Sequence, residues 1–327
     1  MTILKPKALP SRLARRAGRA AATVAIAGTG AALLAPGAAH AASGTSTETV
    51  YSYNTIDNAS DPTFNQLLGI NNKGVICGYF GSGAAGHPNK GYTVSPPYSQ
   101  SNYVNENFPG SVQTQVTAIN GKGDTAGFWV GNNNSNHGFI EWNGVFTSYN
   151  DAKTPHMAGS VNQLLGINNK GIAVGFYVGA NGNAHSYTVN QANGVITPIH
   201  VPGASVTATG INNEGDIVGI STSASGSTSS WLLANGHLTA FQFPGGSDTQ
   251  ALGISGNDEI VGSYLDASGV MHGFTLTDPT GPTSKWQSID DPNGIGSTVV
   301  NGLNNAGDLV GFYTDSAGNT DGFLATP

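Results

Sequence analysis

The chain has 327 residues, with 47 Gly, a single Cys and only 9% charged side chains. Six of its twelve basic residues (Lys5, Lys7, Arg12, Arg15, Arg16 and Arg19) precede position 42, so the remainder sets six Lys and no Arg against nineteen acids, a net charge of −13. Nucleic acid and anionic membrane surfaces are excluded as main partners, because contact with their phosphates needs cations that displace counterions.

Residues 1–19 carry only positive charge, 20–35 are small and apolar, and Ala39-His40-Ala41 places small residues where a signal peptidase reads. This is the pattern of a bacterial secretory signal cleaved after Ala41, with an apolar run too short to span a bilayer. Arg15-Arg16 leaves twin-arginine export open beside the general route. Residues 42–50 read as a short linker and 51–327 as one domain, with no membrane span in the mature chain. Cys77 is alone, which excludes an intramolecular disulfide framework.

The domain opens with a lone strand pattern, Tyr51 to Asp57, and then one phrase recurs six times. It reads GINNKGVICG from Gly69, AINGKGDTAG from Ala118, GINNKGIAVG from Gly166, GINNEGDIVG from Gly210, GISGNDEIVG from Gly253 and GLNNAGDLVG from Gly302. A period in the forties with several strand signals per period is the mark of a propeller blade. In each phrase a strand enters at Ile, the chain turns at Asn-Asn-x-Gly, and a second strand leaves through a shared Gly (Gly78, Gly127, Gly175, Gly219, Gly262, Gly311). Asn caps its own turn and Gly takes the left-handed position. Asp258 stands at that position in the fifth copy.

A third strand begins Lys90-Gly91-Tyr92, His137-Gly138-Phe139, His185-Ser186-Tyr187, Ser229-Ser230-Trp231, His272-Gly273-Phe274 or Asp321-Gly322-Phe323, and a fourth follows. The sixth copy stops after its third strand, and the lone N-terminal strand supplies the missing fourth. The sequence therefore predicts an all-β, six-bladed β-propeller of four-stranded blades, closed by the N-terminal strand, which protects the sheet ends.

With its Gly-Ile-Asn-Asn-x-Gly phrases and its triplets at His137, His185 and His272, the chain resembles the extracellular HAF-repeat proteins of bacteria. The resemblance covers everything after about residue 50. It implies a secreted repeat architecture and no shared activity, and Lys90, Ser229 and Asp321 depart from the triplet.

Candidate ligand-binding residues lie four positions before each anchor Ile: Gln66, Gln115, Gln163, Thr207 and Gln250, with Val299 in the sixth copy. They enter the innermost strand where blades connect, so their amides could rim the central channel. Amides both donate and accept, which suits a neutral sugar; the same side chains could instead bridge adjacent blades. His137, His185 and His272 sit in separate blades, which does not suit a metal site, and packing on the next aromatic is expected. Trp129, Tyr177, Tyr264 and Tyr313, with Phe80, share one position and read as blade core.

Acids near the blade connections, Asp57, Asp61, Asp151, Asp248, Asp290 and Asp291 with His200, contain no pair singled out by spacing for glycoside cleavage. Asp266 and Asp315 begin ordinary turns. The expectation is a secreted monomer without a cofactor that binds a neutral extracellular glycan or cell-surface component. The competing expectations are a glycan-degrading hydrolase or lyase with acids at the channel mouth, and a purely structural envelope protein.

Overall fold

Each repeated phrase folds as a hairpin whose turn residue is left-handed, with φ between 60° and 104° at Gly74, Gly123, Gly171, Gly215, Asp258 and Gly307. The computed structural model describes residues 48–327; the expected export signal and residues 42–47 of the linker lie outside the described residues. A lone strand, β1 (Ser52–Thr55), comes first. Blade 1 holds β2–β5 (Asn65–Ile70, Ile76–Phe80, Lys90–Val94, Tyr103–Asn105) and blade 2 holds β6–β9 (Gln113–Ile119, Thr125–Val130, Asn136–Trp142, Val145–Tyr149). Blade 3 holds β10–β13 (Asn162–Ile167, Ile172–Val178, Ala184–Asn190, Ile196–Pro198) and blade 4 holds β14–β17 (Ser205–Ile211, Ile217–Thr222, Thr228–Ala234, His237–Phe241). Blade 5 holds β18–β21 (Ser247–Ile254, Ile260–Leu265, Met271–Thr277, Lys285–Ile289), and blade 6 has β22–β24 (Thr298–Leu303, Leu309–Thr314, Thr320–Thr326).

The first five sheets are antiparallel and consecutive, while the sixth has the order β22-β23-β24-β1. The N-terminal strand thus completes the last blade, pairing Ser52 with Thr326 through Thr55 with Phe323. The seam has further ties. The Ile56 N–H donates to Gly322 O at 2.8 Å, Asp57 Oδ1 accepts the Gly322 N–H at 2.9 Å, and Thr55 Oγ1 bonds the Tyr313 hydroxyl at 2.8 Å. Part of the expected linker joins this clasp, since Gln287 on β21 bonds both the N–H and the carbonyl of Thr49, at 3.0 and 2.7 Å.

The shared Gly of the second strand has a steric cause. A Cβ on Gly175 would lie 2.0 Å from Gln163 O, and on Gly262 1.8 Å from Gln250 O, with 1.9–2.3 Å at the other four equivalents. No side chain fits at that approach. The neighbouring innermost strand also shifts register at one shared place in every blade, between Leu67 and Gly69 in blade 1 and its equivalents in the others, with a second shift between Ser247 and Gln250 in blade 5. This bulge turns one residue per blade (Leu68, Thr117, Leu165, Thr209, Leu252, Asn301) onto the channel wall.

The first Asn of the phrase joins the blades. Its Oδ1 accepts N–H groups of its own turn, as Asn71 does from Lys73 and Val75. Its Nδ2 donates to the equivalent carbonyl of the next blade: Asn71 to Asn120, Asn120 to Asn168, Asn168 to Asn212, Asn212 to Ser255 and Asn304 to Asn71, at 3.0–3.5 Å. Where Ser255 replaces the amide, the joint keeps the bond that the second Asn of the phrase makes elsewhere, Asn305 Oδ1 accepting the Gly256 N–H as Asn169, Asn213 and Asn72 accept theirs, and Asn257 Nδ2 donates to the Asn305 carbonyl. The third-strand aromatics Tyr92, Phe139, Tyr187, Trp231, Phe274 and Phe323 are all fully buried. Each stabilises by roughly 1.5–3 kcal/mol through burial. Among the described residues no helix is long and apolar enough to cross a membrane.

Removing residues 42–57 leaves β24 as an open edge and uncovers the apolar cluster that Ile56 seals, Leu67 and Leu324 among it. We expect a loss of several kcal/mol, a fall in melting midpoint on the order of 10 °C for a domain of this size. An unchanged midpoint in differential scanning calorimetry would contradict the closure.

Candidate functional site

The central channel is narrow. Its cavity measures about 80 Å³, room for two or three waters at roughly 30 Å³ each. The bulge residues alternate around it, Leu68, Leu165 and Leu252 in blades 1, 3 and 5 and Thr117, Thr209 and Asn301 in blades 2, 4 and 6. Each polar member donates across to the next blade: Thr117 Oγ1 to Leu164 O at 2.9 Å, Thr209 Oγ1 to Ala251 O at 2.8 Å, and Asn301 Nδ2 to Leu67 O at 2.9 Å. The channel wall is thus a set of blade joints.

This corrects the expected position of the Gln series. Gln66, Gln115, Gln163, Thr207 and Gln250 do not border the channel cavity, because the bulge presents the residue two positions later instead. Gln66 is buried and its Oε1 accepts the Tyr79 hydroxyl at 2.8 Å. Gln115 Nε2 donates to Asn89 Oδ1 of blade 1 at 2.9 Å, and Gln163 Nε2 to Asn136 Oδ1 of blade 2 at 3.0 Å. These two amides bridge adjacent blades. Thr207 is buried, Gln250 is half-buried, and Val299 packs in an apolar cluster with Leu252 and Phe312.

A second repeated constellation lies farther out, at the end where blades connect. The aromatic after the shared Gly pairs in register with the first residue of the triplet: Trp129 with His137, Tyr177 with His185, Tyr264 with His272, and Tyr313 with Asp321. In blade 2 the rings of Phe108, Trp129 and His137 stack, with centroids 4.7 and 4.4 Å apart. Blade 5 repeats the arrangement with Phe243, Tyr264 and His272 at 3.6 and 5.3 Å. The connector after each blade then reaches the histidine, Asn150 Oδ1 to His137 Nδ1 at 3.2 Å and Asp290 Oδ1 to His272 Nδ1 at 2.8 Å. Asp266 lies 3.5 Å from His272 Nε2. Each histidine packs on the cross-strand aromatic and not, as expected from sequence, on the aromatic that follows it in the triplet, because register pairs it with the second strand. Among the described residues no group of three His, Cys, Asp or Glu is placed to hold a metal ion.

The stack is confined to blades 2 and 5: Asn58 in blade 1 and Asp291 in blade 6 hold the position of Phe108 and Phe243, and blades 3 and 4 lack it as well. The residues that correspond to the stacking Phe108 and Phe243 are Asp151 and Val201, and blade 4 has Ser221 and Ser229 in place of the aromatic and the histidine. A cleft of about 450 Å³ lies beside Asp151 and Val201, between the blades. Its walls come from Tyr177 and His185 on β11 and β12, from Asp151 and Lys153 on the connector into blade 3, and from Pro198 to Ala204 on the connector into blade 4. Tyr177 and His185 have ring centroids 5.2 Å apart. Asp151 is buried, and its Oδ1 accepts the Lys153 N–H at 2.8 Å. Reading from sequence placed Asp151 and His200 near the connections. It did not place Lys153, Tyr177 and His185 with them, and Val201, where blades 2 and 5 carry Phe, is the signal that would have pointed to the opening.

Carboxyls with displaced pKa lie elsewhere. Burial, with repulsion from Asp321 and Asp315, pushes Asp57 up to about 7 against the opposing Gly322 N–H, and burial beside Glu141 pushes Glu106 up to about 7. Neither borders the cleft or the channel. The Asp266 and Asp315 carboxylates cap their own turns, accepting N–H groups of Ser268 and Val270 and of Ala317 and Asn319 at 2.8 Å.

No family model matches the chain, and no curated protein does. Among solved structures, the fold is similar to AofleA from Arthrobotrys oligospora, at 15% identity and a TM-score of 0.51, covering 84% of this chain and 86% of that one. A lectin from Aleuria aurantia, described as a six-bladed β-propeller with a novel fucose recognition mode, aligns at 10% identity with a TM-score of 0.47 over 79% of this chain and 90% of its own. TolB from Acinetobacter baumannii aligns at 12% identity and 0.47, over 76% of this chain and 63% of its own. At these identities the likeness is one of fold.

The hydrogen bond from Asp290, ahead of the opposing effect of burial, raises the His272 pKa above its ordinary 6.5. Protonated His272 therefore stabilises the fold fully below pH 6.5, and that contribution fades as pH rises through the raised folded value. We expect Asp290→Asn to lower the His272 midpoint in an NMR titration of its ring protons. A midpoint unmoved by the substitution would contradict the assignment.

Proposed function

We propose that this is an exported, monomeric, non-enzymatic propeller that binds an extracellular glycan in the cleft between blades 3 and 4. The observation that carries the reading is the makeup of the cleft. It has the size of a small-ligand site. Its walls combine an aromatic edge and apolar connector residues (Tyr177, Pro198, Val201, Pro202) with side chains that donate hydrogen bonds (Lys153, His185, His200). A sugar presents the complementary mixture of C–H faces and hydroxyls.

Asp151 is the single carboxylate among the residues that border the cleft. Cleavage of a glycosidic bond uses a pair about 5 to 10 Å apart, so a binding role fits this cleft better than hydrolysis. Export rests on the charge and apolar pattern of residues 1–41, and the proposed kinship with the HAF-repeat proteins rests on the six phrases and the triplets.

The test is a glycan-array and polysaccharide pull-down screen on residues 42–327, with mass spectrometry of the retained and free sugars. We expect retention of a glycan without shortened or unsaturated products, abolished by Val201→Trp, which adds bulk to the cleft wall where blades 2 and 5 carry Phe. Shortened products, or retention unaffected by that substitution, would contradict the reading.

A further inference from the structure

The connectors give this cleft a makeup of its own on the ring. The connector residue that faces the third strand is Asp57, Asn107, Asn150, Gln242 or Asp290 in the other five blades, and His200 here. In blade 5 two carboxylates, Asp266 and Asp290, flank the histidine, and in blade 6 an aspartate, Asp321, replaces it. At the blade 3–4 cleft a lysine joins the carboxylate Asp151. Lys153, one of only six lysines after residue 41, borders it together with His185 and His200.

The donors of this cleft are also uncommitted. His87, His137 and His272 each bond a carboxylate or amide oxygen through Nδ1. Among the described residues, His185 and His200 have no hydrogen-bonding partner, and the Lys153 ammonium has no carboxylate within salt-bridge distance. Asp151 adds one acceptor, already bonded by the Lys153 N–H. Three free donors of cationic or potentially cationic type border one cleft beside an aromatic edge, in a chain whose net charge after residue 41 is −13.

We propose that the cleft is built for an acidic sugar, a glycan unit bearing a carboxylate, rather than for the neutral glycan that the chain's amide content suggests. This rests on the glycan-binding reading above. In the proposed complex the sugar carboxylate accepts from the Lys153 ammonium and from the imidazole N–H of His200, the sugar ring lies along Tyr177 and Pro198, and His185 donates to a hydroxyl. A charge-assisted hydrogen bond discriminates more sharply than a neutral one, because the anion's partner also replaces its lost hydration.

The test uses isothermal titration of residues 42–327 with three acidic probes, trigalacturonate, trimannuronate and sialyllactose, each beside its neutral counterpart, the methyl-esterified trimers and lactose. We expect at least one acid to bind, its neutral counterpart to bind roughly tenfold or more weakly, and Lys153→Gln and His200→Gln each to weaken the acid by about 10- to 100-fold. Lys285→Gln, on the exposed edge of blade 5, is expected to leave affinity unchanged. Equal binding of acid and neutral forms, or equal losses in Lys153→Gln and Lys285→Gln, would overturn charge selection while leaving glycan binding intact. Failure of all three acids, with a neutral glycan retained in the screen, would do the same. Failure of every glycan in both experiments would overturn the binding reading itself.

Discussion

The asparagine amide between blades is the interaction on which the molecule depends. One side chain performs two tasks, closing its own hairpin through Oδ1 and holding the next blade through Nδ2. Each bond contributes about 1 kcal/mol net, and the chain of them returns from Asn304 to Asn71. A return of this kind requires the sixth blade to be complete, which explains why the N-terminal strand, the Gly322 contacts and the Gln287 clamp on Thr49 all converge on one seam. Thr117, Thr209 and Asn301 add a second series of joints on the channel wall.

A frame held in this way at its centre leaves the outer connectors free to vary. In blades 2 and 5 they deliver a phenylalanine that fills the gap beside the aromatic–histidine pair. In blade 4 the corresponding connector position holds Val201, which borders an open cleft. The chemistry of that cleft comes from what the flanking connectors bring, Lys153 on one side and His200 on the other. The centre offers no comparable space, since the bulge residues close it to about 80 Å³.

Much of this was legible in the sequence. Six phrases at a steady period, the shared Gly, and the reciprocal absence of a strand at one end and presence at the other led to the closed six-bladed ring, and the left-handed turn at Asp258 was foreseen from its side chain. The Gln series was misplaced for a definite physical reason. Side chains alternate along a strand, so a single extra residue reverses which one faces inward. The bulge after Leu67 and its equivalents does this six times, sending Leu68 and its counterparts to the channel and leaving Gln115 and Gln163 as bridges between blades. The cleft was hidden because the connectors differ in length. Only the hydrogen bonds from the Phe108 and Phe243 N–H groups to Thr114 and Thr249, and from the Asp151 N–H to Asn162, align them and reveal what blades 3 and 4 lack.

The central claim is that a rigid, joint-filled centre carries its ligand between the outer parts of blades 3 and 4. Hydrogen-exchange mass spectrometry of residues 42–327 with and without trigalacturonate tests it most directly. The account expects the sugar to add protection to the 199–204 connector and the hairpin containing His185, and to leave the already slow turn amides at 71–75 and their equivalents unchanged. Protection added instead along the channel-facing segments around Leu68, Thr117 and Leu165, with none at the connector, would contradict it.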